Sequence, residues 1–100
     1  MPRLNTYEVR FRARVADTVA DDAVARLCAA IEGMPGILRA DGADYDHVSA
    51  TVGGEFHVEV ASGMAAAARD SSRLAKEALQ AAGMGDARLV ELFIALRQSR

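Results

Sequence analysis

Thr6 to Val15 alternates without a break. Tyr7, Val9, Phe11, Ala13 and Val15 fall on one side, and Glu8, Arg10, Arg12 and Arg14 on the other. An extended strand points successive side chains to opposite faces, so it sorts this sequence into one apolar and one charged face. The chain must therefore build a sheet with one face covered and one open. It must find the cover within its remaining residues.

Two helical patterns supply it. Asp17 or Thr18 caps the first, and Asp21 and Asp22 suit the positive end of its dipole. Ala20, Val24, Leu27, Ile31 and Met34 recur at helical spacing until Gly33 and Pro35-Gly36 stop it. Ser62 caps the second, over about residues 63–82. Its apolar stripe is Ala67, Ala68, Ser71, Leu74, Ala78, Ala81 and Ala82. Alanine lets this helix approach its sheet closely but buries little area per side chain.

Between the helices the pattern predicts a hairpin. Val48, Ala50 and Val52 alternate, Gly53-Gly54 turns the chain, and Phe56, Val58 and Val60 alternate again. A two-residue Gly-Gly loop would set Val52 against Glu55 and mix the faces. A three-residue loop, Gly53-Gly54-Glu55, with a bulge sets Val52 against Phe56 and is expected instead.

The last run, Ala87 to Leu96, is apolar on both faces. Val90, Leu92, Ile94 and Leu96 form the side expected to meet the helices. Leu89, Phe93 and Ala95 form the other, interrupted only by Glu91. A strand wetted on one side alternates more cleanly, so a second cover is expected. Leu89, Glu91, Phe93 and Ala95 are therefore the expected interface of a homodimer or larger homo-oligomer. The order strand, helix, strand, strand, helix, strand, with right-handed crossovers, predicts a ferredoxin-like βαββαβ plait. This is an α+β fold: a four-stranded antiparallel sheet with two helices on one face, in a single domain over residues 1–100.

Composition narrows the function. Net charge is −2, giving no pull toward nucleic acid or an anionic membrane. RNA-recognition modules of this fold stack bases on exposed aromatics of the central strands, whereas Tyr7 and Phe11 have the buried parity. The single cysteine, Cys28, excludes an internal disulfide and reads as a small buried hydrophobe in a reducing cytoplasm. The N-terminus lacks the apolar run of a signal peptide, and no stretch has the length of a membrane span. Eleven of the twelve basic residues are arginine, which reads as a GC-rich coding bias of the bacterial kind.

Candidate chemistry gathers on the open face. Arg10, Arg12 and Arg14 neighbour Glu55, His57 and Glu59 of the third strand. A lattice of cross-strand ion pairs is the plainer reading. The functional one is a ligand site formed by Arg10, Arg12, Arg14, Tyr45, His57 and Glu59. No catalytic residue, cofactor or metal is assigned. His47 and His57 lie too far apart along their strands, and Asp41, Asp44 and Asp46 read as an acidic connecting loop without calcium-motif spacing.

The segment Ile31-Glu32-Gly33-Met34-Pro35-Gly36-Ile37 resembles the end of the first helix in heavy-metal-associated domains. Those domains hold metal with a Cys-x-x-Cys loop. Here the corresponding loop, Ala16-Asp17-Thr18-Val19-Ala20, has no cysteine, so the metal function does not carry over. The same Pro-Gly junction is similar to that of small dimeric α+β-barrel monooxygenases, whose plaits pair through their open faces. Two functions are expected on these grounds. The first is a non-catalytic oligomerising domain that binds a small molecule or protein partner. The second is a small monooxygenase- or lyase-like enzyme subunit, with His57, Tyr45 and Arg12 as its polar groups.

Overall fold

The computed structural model describes residues 4–16, 19–61 and 63–99. Its elements are β1 (Asn5–Arg14), α1 (Ala23–Glu32), β2 (Ile37–Asp46), β3 (Thr51–Val60), α2 (Met64–Ala81) and β4 (Arg88–Ser99). All pairings are antiparallel and the strand order is β2-β3-β1-β4, the ferredoxin-like plait. The expected caps Asp17, Thr18 and Ser62 lie outside the described residues. The first helix starts at Ala23, later than its acidic run suggested, with Asp22 in the cap position.

The parity of β1 is as its alternation requires. Tyr7, Val9, Phe11, Ala13 and Val15 are buried in one core with Val52, Phe56, Val58 and Val60 of β3. Leu27 and Ile31 of α1, and Leu74, Ala75, Ala78 and Leu79 of α2, close over them. The Phe11 and Phe56 rings tilt against each other at 6.3 Å between centroids, a favourable offset geometry. Ala20 and Ala81, expected on the apolar stripes, are exposed.

The hairpin is not where the glycines suggested. The turn is His47-Val48-Ser49-Ala50, between paired Asp46 and Thr51. Val48, expected in the core, is 86 % exposed there. Ala50 closes the turn in the left-handed region, at φ 54°, and its carbonyl accepts the Val15 N–H at 2.9 Å. Gly53 and Gly54 lie inside β3, opposite Arg12 and Phe11. A Cβ on Gly54 would come within 2.7 Å of the Phe11 ring and of Ile31 Cδ1. The glycines therefore serve close approach, and the odd loop at Gly53-Gly54-Glu55 does not form.

Bulges explain why the strand before the turn was illegible. Leu38 and Asp41 are extra residues in the β2–β3 ladder. The β2 residues that share a face with Val58, Phe56, Gly54 and Val52 are Ile37, Ala40, Ala43 and Tyr45. That spacing is not period 2, and each bulge re-aims the side chains beyond it. The same device corrects β4. Val90 is the extra residue between the Arg12–Glu91 and Ala13–Leu89 pairs. Val90, expected against the helices, is therefore half exposed, whereas Leu89, expected on the open face, packs on the core. Leu92 and Ile94 pack as expected.

Two glycine exchanges test this arrangement by urea denaturation. Gly54→Ala is expected to destabilise the fold by about 1–3 kcal/mol through overpacking. Ala50→Gly is expected to stabilise it by up to about 1 kcal/mol by relieving the left-handed alanine. A turn centred on Gly53-Gly54 would instead place Ala50 inside a strand and make Ala50→Gly destabilising.

Candidate functional site

The face away from the helices carries the polar residues. Across β3, β1 and β4, the rows His57–Glu8–Ala95, Glu55–Arg10–Phe93 and Gly53–Arg12–Glu91 run side by side. Antiparallel partners share a face, so these side chains form one lattice.

Arg12 is its hub. Its Nε and Nη2 donate to Thr51 Oγ1 at 3.0 and 2.9 Å, and Nη2 also donates to the Thr51 carbonyl at 3.1 Å. Its Nη1 lies 2.9 Å from both oxygens of Asp44. Thr51 Oγ1 thus accepts twice, which leaves its proton for Ser49 Oγ at 2.7 Å. The guanidinium lies over Gly53: a Cβ there would meet it, and would sit 2.9 Å from the Phe11 carbonyl oxygen. Arg12 therefore ties β1 to β3 and to β2, and its donors are engaged within the fold.

Arg10 is placed differently. Its guanidinium carbon sits 5.1 Å above the centre of the Phe93 ring, a cation–π distance. Its Nη2 is 3.4 Å from Glu8, whose other oxygen is 3.5 Å from Arg97. Beside this stack lies a hollow of about 250 Å³ bordered by Arg10, Arg12, Asp44, Glu55, Glu91 and Phe93. Arg14 is exposed one pair further on, between Thr51 and Arg88.

His57 and Asp41 make a second cluster. The bulge at Asp41 turns its carboxylate to His57 Nδ1 at 3.4 Å and to Arg39. Glu59 stands opposite Thr6. Tyr45 does not join any of these groups: it stands opposite Val52, on the helix side of the sheet. The ligand set expected from sequence is therefore divided. Arg10, Arg12, Arg14, His57 and Glu59 share the open face, and Tyr45 does not. His47 lies in the turn and is exposed.

Asp41, Asp44 and Asp46, expected in a connecting loop, all belong to β2 and have separate tasks. Asp46 accepts the Val48 N–H at 3.0 Å. That hydrogen bond, with Ser49 adding, holds its carboxyl below the usual range. The resulting stabilisation is present above the ordinary carboxylate pKa and is lost as pH falls through the lowered one. Cys28 is half-buried rather than buried. Burial pushes its thiol up, and Glu32, 3.7 Å away, adds to this. A raised thiol is a poor nucleophile at neutral pH.

Thr51, Asp44 and Asp41 were missed as site residues because bulges and the displaced turn concealed their strand positions. The one usable signal was the glycine pair, which marks a close backbone approach as readily as a turn. A larger, shallow groove of about 520 Å³ lies between the end of α2 and the start of β4, lined by Lys76, Gln80, Asp86 and Arg88 among others. Of the expected site residues, only Leu89 borders it.

The Arg12 hub predicts an unequal response. Thr51→Val is expected to cost about 1–2 kcal/mol, because it removes a buried acceptor. Asp44→Ala is expected to cost less than about 1 kcal/mol and to lose its effect in high salt, because that carboxylate is exposed. Urea unfolding at low and high ionic strength measures both.

No protein-family model matches this chain, and no curated protein matches it significantly.

Proposed function

We propose that this chain is a homo-oligomerising, non-catalytic module. It associates with a second copy through its final strand and receives a small molecule or protein partner on its open sheet face. The observation that carries the reading is the outer strand β4. Its segment Leu92-Phe93-Ile94-Ala95-Leu96 has no charge, yet Phe93 is 48 % and Leu96 53 % exposed at the rim of the sheet. An uncharged apolar edge strand is a template for association that isolated domains usually blunt.

The groups with catalytic potential support the same reading. Arg12 is engaged by Thr51 and Asp44, Tyr45 stands on the other side of the sheet, and the Cys28 thiol is pushed up. The hollow beside Phe93 favours one other reading, the dimeric α+β-barrel enzyme. A second sheet stacked on the open face would roof it and enclose Arg10, Glu55 and Glu91.

Burying the exposed half of Phe93 is worth roughly 1 kcal/mol per subunit, and a symmetric dimer uses it twice. Sedimentation equilibrium at micromolar protein is expected to show a dimer or larger species. Phe93→Asp is expected to shift it to monomer while the helical circular dichroism persists. A wild type that stays monomeric across that range overturns the reading.

A further inference from the structure

The two edges of the sheet are unlike. On β2, bulges at Leu38 and Asp41 and the charges of Arg39, Asp41, Asp44 and Asp46 interrupt the strand. These are the devices that discourage edge pairing. On β4, the bulges fall only at Val90 and Arg97, and pairing with β1 is regular from Glu91 to Leu96. The sequence from Glu91 through the bulged Arg97 is self-complementary when read against itself in the opposite direction.

We infer that two copies join β4 to β4 antiparallel about a two-fold axis at Ile94, making one continuous eight-stranded sheet. This proposal rests on the self-association reading above and specifies its partner surface and register.

Three observations fix the register. An antiparallel pair must match faces, so a shift by one residue would set helix-side residues against open-face ones. With Ile94 opposite itself, Leu92 meets Leu96 on the helix side, and Phe93 meets Ala95 on the open side, a large side chain beside a small one. Glu91 then faces Arg97. Both belong to the open face, since Glu91 stands opposite Arg12 and Arg97 reaches Glu8 at 3.5 Å. Any other two-fold centre separates these charges. Glu91 makes no salt bridge of its own among the described residues.

Charge also favours the edge over the face. Stacking two open faces would bring Glu8, Arg10, Arg12, Glu55, His57 and Glu59 against their own copies. That would bury many charged groups for one exposed aromatic, Phe93. Edge pairing leaves those groups in water and satisfies the free backbone groups of β4.

The test is a charge exchange between chains. Glu91→Arg sets two positive charges opposite each other at both ends of the paired segment, and Arg97→Glu sets two negative ones. Each variant alone is expected to dimerise about tenfold or more weakly than wild type. Mixing the two restores an opposite pair at both ends and is expected to recover the dimer as a mixed species. Within one chain the two positions are six residues, about 20 Å, apart, so recovery on mixing comes only from contact between copies. Ile94→Cys in a Cys28→Ala background is expected to form a disulfide-linked dimer under mild oxidant. A wild-type dimer that is unaffected by either charge reversal, and in which Ile94→Cys does not cross-link, overturns the edge register but leaves self-association standing. A monomeric wild type overturns both.

Discussion

Two neighbouring side chains of β1 lie across two neighbouring glycines of β3, one pair on each face of the sheet. On the helix side the Phe11 ring occupies the space above Gly54, where Ile31 also reaches down. On the open side the Arg12 guanidinium occupies the space above Gly53 and is fastened by Thr51 and Asp44. This double overlap joins the central strands, positions α1 through Ile31, and reaches β2 through Asp44. The core and the charged lattice therefore share one constraint, expressed in opposite directions at adjacent residues. Both arginines border the hollow, but Arg12 is fastened within the fold and Arg10 is the one stacked on Phe93.

The fold was legible where strands keep an unbroken period of 2. β1 and the second half of β3 declare their faces residue by residue, and α2 declares its alanine stripe. The order of elements, and so the topology, comes from these. Legibility fails at bulges. In β2 two extra residues spread the helix-facing positions to Ile37, Ala40, Ala43 and Tyr45, so a strand carrying three aspartates and a glycine reads as a loop. The alternation of Val48, Ala50 and Val52 then offered a substitute strand, and the glycine pair offered a turn.

The site suffered from the same displacement. The row of arginines and the neighbouring His57 and Glu59 were placed correctly because they depend only on β1 and β3. Tyr45 was misplaced because it depends on β2. Leu89 was misplaced because the bulge at Val90 reverses parity within β4, although Phe93, beyond the bulge, kept its expected face. Which aspartate meets which base is a property of the bulges, and nothing local in the sequence announces it.

The pairing of β1 with β4 has a consequence for biogenesis. Asn5 pairs with Ser99, and Arg14 with Arg88, so one side of the first strand is closed only by the last. Once β3 is made, the 27 residues between it and β4 take on the order of 1–5 s to synthesise, at about 5–20 residues per second. For that interval β1 can be paired on the β3 side while its other edge waits. Contacts of such long sequence separation form slowly. On a polysome, where nascent copies are close neighbours, the waiting edge can accept the final strand of another copy as well as its own. The fold thus ties the fidelity of its assembly to the speed of translation through its last third.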